Sequence, residues 1–292
     1  MVLLPDHQAV TESDAGTEIA DPLLRAVSRG VRVFDLAWPM FIGMPQSPNH
    51  PRYFHSLPRR HGDMVRADGG SAANDVIITG THVGTHIDAL AHVSHEGRLH
   101  GGRDAVAAGV GGRYQELGVH TIAPIVRRGV LLDIPAVRGK DSCEPGYEIT
   151  VTDLEAAVAR QGTPIRPGDV VLIRSGWGQR FDDANAYQGL ADGVPGVGAD
   201  GARWLAAKRV HAAGADTIAF ERLAPGAGHA LLPAHRILLV EHGIYIIEAL
   251  ALEELAAAAA YEFTFVLSPL KLVGATGSPV RPLALIGGQR DE

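Results

Sequence analysis

His82-Val-Gly-Thr-His86-Ile-Asp88-Ala-Leu-Ala-His92 is the densest concentration of chemistry in the chain. It follows a β-branched run, Asp75 to His82 (DVIITGTH), with the composition of a strand. Continued as one strand, the segment projects positions 82, 86 and 88 from one face, because strand side chains alternate with period two. Two imidazoles and a carboxylate then converge, a ligand set that zinc or manganese accepts with coordination positions to spare for water or substrate. Gly80 and Gly84 remove bulk where a metal or substrate comes close. His82 and His86 also have helical spacing, but Val83 stands where a zinc-protease helix needs its Glu base, which excludes that motif. The competing reading is a wet, bent strand face that binds no ion.

Outward from this segment the chain reads as mixed α/β. Strands are expected at Val31 to Ala37, Gly129 to Ile134 (GVLLDI), Asp169 to Arg174 (DVVLIR), Thr217 to Phe220 and Gly243 to Ala249, with extended chain over Glu262 to Val273 and Val280 to Ile286. Helices are expected after Thr152-Asp-Leu-Glu155, which has a capping-box pattern, over Asp200 to Ala212, over His235 to Glu241, over Leu252 to Ala259, and from Ala89 to His95. The loop Trp38 to Pro51, punctuated by four prolines, can wall a pocket. Residues 1–22 lack periodicity and are expected to be an N-terminal extension to a single domain over 23–292.

Composition narrows the function classes. The 292 residues carry a net charge of −7, and no Lys/Arg run exceeds Arg127-Arg128, which argues against nucleic acid as partner and for a small molecule. Cys143 is the single cysteine, so an internal disulfide and a cysteine zinc site are excluded. Without a basic leader or a long apolar run, the expectation is a cytoplasmic protein with no membrane association. Eight of the fourteen histidines fall between His50 and His100.

His82, Gly84, Thr85, His86, Asp88 and His92 match the signature H-x-G-T-H-x-D followed four residues later by His. In this the chain resembles the cyclase family that includes bacterial kynurenine formamidases and isatin hydrolases. Arg174-Ser-Gly-Trp-Gly178, His235 with Leu238-Leu239, Gly243-Ile244, Glu248 before Leu250, and Lys271 to Arg281 (KLVGATGSPVR) also look like family blocks, so the resemblance extends from about Val31 to the C-terminus. One departure is Leu90, where formamidases carry Pro two residues after the Asp. The resemblance implies a swivelling β/β/α-type fold with a central β-barrel-like sheet flanked by helices, and a homodimer or homotetramer. It implies that His82, His86 and Asp88 hold a divalent metal, Zn2+ or Mn2+. It also implies that His235 and Glu248 complete a second metal site or a supporting shell, giving one or two ions per chain. His229 and Glu241 are rivals for those last two places.

A divalent ion lowers the pKa of its water from about 15.7 toward 7 and polarises an amide or lactone carbonyl. Together with this chemistry, the resemblance implies arylformamidase- or isatin-hydrolase-like cleavage of a small aromatic or cyclic substrate by metal-activated hydroxide. His92 is the expected catalytic proton shuttle, because imidazole titrates near neutrality; its alternatives are a fourth ligand or a structural histidine. Ring closure by a cyclase or dehydratase is the second enzyme reading, and a non-catalytic ligand- or metal-binding protein the reading from another class. Trp38, Phe41, Trp177 and Tyr187 are candidate aromatics for stacking on a planar substrate, and Glu221 is a candidate facing the site. Gly196, Gly198 and Gly201 fit G-x-G-x-x-G without a preceding strand and read as a loop and helix cap. Ser175 lacks a nucleophile elbow, and Cys143 is expected to be inert.

Overall fold

The computed structural model describes residues 21–287, and residues 33–286 form one compact unit. The expected extension over residues 1–22 lies outside the described residues apart from its last two. In the second unit Asp21 caps the helix Pro22–Ser28, its carboxylate accepting from the Leu23 and Leu24 N–H groups.

Among the described residues, eleven strands have three residues or more: β1 (Val31–Asp35), β2 (Phe54–Arg59), β3 (Asn74–Ile78), β4 (His86–Asp88), β5 (Ile125–Asp133), β6 (Val170–Arg174), β7 (Ala212–Ala215), β8 (Tyr245–Glu248), β9 (Glu262–Leu267), β10 (Gly277–Pro279) and β11 (Leu283–Gly287). Nine of them build one mixed sheet in the order β1-β11-β9-β5-β6-β7-β8-β4-β10. The central strands β5 to β8 run parallel, and antiparallel partners flank them on both sides. The sheet curls into a half-barrel flanked by helices, the mixed α/β architecture expected from the sequence.

Parallel strands covered on both faces must be apolar throughout, and β6 reads Val-Val-Leu-Ile before Arg174. Val171 and Ile173 join Val130, Leu132, Ala213 and Ile246 in one cluster with Leu154 and Leu205 of the helices Val151–Gln161 and Ala199–Ala207. Val170 and Leu172 turn the other way to meet Leu131, Ile247, Phe263 and Phe265. Gly214 permits this packing on β7, since a Cβ there would lie 2.7 Å from Leu250 Cδ1.

Several expected elements differ. The capping box lies two residues earlier than predicted, with Thr150 and Asp153 bonded reciprocally, because the Asp carboxylate reaches the Thr150 N–H. The strand expected at Thr217 to Phe220 is instead β7, at Ala212–Ala215; the small residues there suit strands pressed between two covered faces. Segment 89–95 is a turn, not a helix: Ala89 N donates to Thr276 O and Ala91 N to Leu117 O, contacts that divert the backbone from a helical ladder. The run from Asp75 is also interrupted, for among the described residues β3 pairs with β2 alone, and β4 is a separate strand of the main sheet. Among the described residues no helix is long and apolar enough to cross a membrane.

Candidate metal centre

Strand β4 is three residues long and wedged between β8 and β10. Ile87 points into the core, so its neighbours His86 and Asp88 share the opposite face. Register places Asp88 opposite Ile246 and Gly277, and His86 opposite Glu248 and Pro279. His82 reaches the same place from a turn and not by strand parity. Gly84 makes that turn at φ +69°, a conformation glycine adopts without steric cost. The His82 ring occupies space left by Gly277, where a Cβ would sit 2.5 Å from His82 Cε1. Thr85 ties the turn down by donating to Ala249 O at 2.6 Å and accepting from Trp38 N at 3.1 Å.

Glu248 ends β8, and His235 ends the short helix Pro233–His235, which continues as a π-helix over Arg236–Glu241. His86 Nδ1 donates to Gly84 O at 2.8 Å, and His235 Nδ1 to Glu221 Oε1 at 2.7 Å. Both Nε2 atoms therefore face the carboxylates. His86 Nε2 lies 3.3 Å from Glu248 Oε2 and 3.5 Å from Asp88 Oδ1; His235 Nε2 lies 3.1 Å from Glu248 Oε1 and 3.5 Å from Asp88 Oδ2. His82 Nδ1 lies 2.7 Å from Asp88 Oδ1, and Thr276 Oγ1 is 2.9 Å from its Nε2.

Among the described residues, Asp88 Oδ2 and Glu248 Oε1 are buried without a hydrogen-bond partner. A buried carboxylate oxygen left in that state is costly, and two of them converging with imidazole nitrogens fit a divalent cation. Ligand atoms of His86, Asp88 and Glu248, and separately of His82, Asp88 and His92, lie within 4.8 Å of one another. Asp88 belongs to both groups. These residues support a divalent-metal site.

The electrostatics have the same sense. Burial works to raise the Asp88 carboxyl, but the neighbouring His92, His235 and His82 imidazoles, the last hydrogen-bonded to Oδ1, hold it well below its usual range. Glu248 is likewise lowered to about 2 against burial, by the His235 and His86 imidazoles beside it. In return, despite burial, the carboxylates raise His86 to about 9 and His235 well above its ordinary value. The cluster thus demands compensating positive charge, from protons or from a cation.

His92 stacks on His82 with ring centroids 3.8 Å apart. Burial pushes its imidazole down to about 3, which keeps it neutral at neutral pH. The centre opens into a cavity of about 270 Å³, whose lining includes His82, His86, His92, His235 and Glu248. Pro45, Gln46, Ser47, Asn49 and His50 supply one wall from the proline-punctuated loop, and Tyr187, Ile218 and His229 line it too.

The other aromatic candidates lie elsewhere. Trp177 is 1% exposed and donates its indole N–H to Tyr187 O at 2.8 Å, inside a cluster with Phe181 and Leu223. Trp38 stacks on Phe181 at 4.4 Å, and Phe41 is exposed; neither lines the cavity. Glu221 does not reach the cavity, because its oxygens are engaged by His235 and the Ala234 N–H. Of the two rivals, His229 is a wall residue and Glu241 pairs with Arg236 at 3.0 Å, away from the centre. Sequence reasoning gave no role to His50, Gln46, Ser47 or Thr276. The proline-rich loop signalled a wall, but not which of its side chains face inward.

The Cyclase family profile matches residues 34–222. The chain belongs to the cyclase family. This cyclase-family chain is 27% identical over 224 residues to an isatin hydrolase of Roseibium aggregatum, covering 75% of this chain and 77% of that protein. A crystal structure described as a novel cyclase superposes with a TM-score of 0.78 at 33% identity, covering 87% of this chain and 88% of the other. Isatin hydrolase A of Ralstonia solanacearum gives 0.70 at 27% identity, over 94% and 100%. The likenesses support a hydrolase of the cyclase family.

Proposed function

We propose that this cyclase-family protein hydrolyses an amide C–N or lactone bond of a small aromatic or cyclic substrate, in the manner of arylformamidases and isatin hydrolases. His82, His86, Asp88, His235 and Glu248 would hold one or two Zn2+ or Mn2+ ions. The observation that carries this reading is the pair of partnerless buried oxygens, Asp88 Oδ2 and Glu248 Oε1, beside a cavity that also contains His92. The isatin hydrolase relatives favour the substrate class.

A divalent cation supplies Lewis-acid activation of water and of the scissile carbonyl. The chain's own residues do the rest. His92, which lines the cavity and stacks on His82, would accept a proton from the attacking water at a ring nitrogen and return it to the leaving nitrogen or oxygen. Asp88 and Glu248 keep their negative charge throughout, held by the imidazoles around them. Tyr187 and Ile218 give the substrate an apolar wall. A cavity near 270 Å³ lies just below the usual range of ligand sites, about 300 to 1,000 Å³, and so suits a compact substrate.

The test is cation content of protein purified without added metal or a histidine tag, followed by turnover of a panel containing an N-formyl aryl amine, isatin and a lactone. Bound zinc or manganese and hydrolysis that a chelator abolishes and the cation restores are expected. No cation uptake, or turnover indifferent to the chelator, overturns the reading.

A further inference from the structure

Glu221 is a carboxylate, 1% exposed, that the chemistry above does not use. Its Oε2 accepts from the Ala234 N–H at 2.9 Å, and its Oε1 from the His235 N–H at 2.9 Å and the His235 ring at Nδ1 at 2.7 Å. Three donors from two adjacent residues therefore fix this side chain. The backbone that delivers it is held at a cost. Phe220, immediately before it, is a buried aromatic residue at φ +57°, a left-handed conformation that persists when the surroundings enforce it. Gly196 packs so closely against the next turn of chain that a Cβ there would lie 2.3 Å from the Glu221 carbonyl carbon.

An ionised carboxylate accepts and cannot donate, so a hydrogen bond at this distance requires the proton on His235 Nδ1. The Nε2 lone pair of that tautomer is then directed to the gap where Glu248 Oε1 lies 3.1 Å away without a hydrogen-bond partner and Asp88 Oδ2 lies 3.5 Å away. We propose that Glu221 is a positioning residue that locks His235 in its Nδ1–H tautomer, and thereby decides whether a cation is held between His235 and Glu248. This rests on the metal-dependent reading given above. Carboxylates placed behind a ligating imidazole fix its orientation and raise its basicity, and their loss typically weakens metal binding by about 10–100-fold.

The experiment titrates Zn2+ alone into cation-stripped wild type, Glu221→Gln and His235→Ala, with melting temperature and circular dichroism recorded in parallel. The step missing from His235→Ala identifies the cation that His235 holds. Folded Glu221→Gln is expected to bind that cation about 10–100-fold more weakly than wild type. If Glu221 merely caps the following helix, the variant melts earlier but its folded form binds zinc as wild type does, which overturns the proposal. Should Glu221→Gln fail to fold, 15N-histidine spectra of the zinc-loaded wild type decide: a proton on His235 Nδ1 with Nε2 unprotonated supports the lock, and the reverse tautomer refutes it. Wild type that takes up no zinc removes the metal reading itself, an outcome distinct from unchanged zinc binding in Glu221→Gln.

Discussion

His86 and Glu248 are directly opposed residues of antiparallel strands, and their Nε2 and Oε2 atoms stand 3.3 Å apart on one face of the sheet. Opposed residues share a face because both strands follow the same pleat. Backbone register thus sets the meeting of imidazole and carboxylate. Glu248→Gln keeps the shape and removes the charge. Cation affinity in the folded variant is expected to fall at least about tenfold, as for other changes around a metal ligand. Elemental analysis after dialysis checks it, and wild-type cation content would remove Glu248 from the ligand set.

His92 lines the cavity and stacks on His82. His92→Ala is expected to retain its cation while turnover falls by about 10²–10⁴, the range for losing a general acid–base group. Paired measurements of cation content and kcat separate this role from ligation. Loss of the cation together with activity would make His92 a ligand, and full activity would leave it without a catalytic role.

In the cation-free protein His86 is raised to about 9, the pull of Glu248 and Asp88 outweighing burial, and His235 is raised well above its ordinary value for the same kind of reason. Both imidazoles therefore carry protons at neutral pH, and a cation must displace them. Binding near pH 7 should release about two protons, and apparent affinity should rise with pH until it approaches the His86 value. Calorimetric titrations in buffers of different ionisation enthalpy measure the release. Binding heats independent of buffer, with affinity flat across that range, would contradict it.

Trp177 sits in the core with its indole N–H satisfied by Tyr187 O. Trp177→Ala should cost about 3–5 kcal/mol of stability, the usual penalty for emptying a large buried aromatic site. Denaturant melts report it directly. A KM rise with unchanged stability would instead restore Trp177 to the substrate site.

Cys143 is buried, and burial pushes its thiol up to about 12. Since the thiolate is the reactive form, the folded protein is expected to resist alkylation at about pH 8 and react once unfolded. Mass spectrometry of iodoacetamide-treated protein follows the difference. Rapid labelling of the folded chain would make Cys143 an accessible nucleophile.

The amino-acid sequence determined the chemical inventory and much of the scaffold. His86 and Asp88 could be placed on one face from alternation alone, and the apolar runs at β5 and β6 announced strands. The resemblance carried His235 and Glu248, whose separation from the signature segment hides any local pattern. Tertiary structure decided the rest, because those decisions depend on contacts between distant segments. His82 joins Asp88 through a turn that Gly84 allows and into space that Gly277 leaves, so parity along one strand was the wrong reason for its placement. Contacts with Thr276 and Leu117 hold residues 89–95 out of a helix. Packing drew Trp177 into the core, and hydrogen bonds to His235 and Ala234 turned Glu221 from an expected cavity residue into the support of an imidazole. Side-chain type is written locally, whereas orientation, burial and hydrogen-bond partner are properties of the folded neighbourhood.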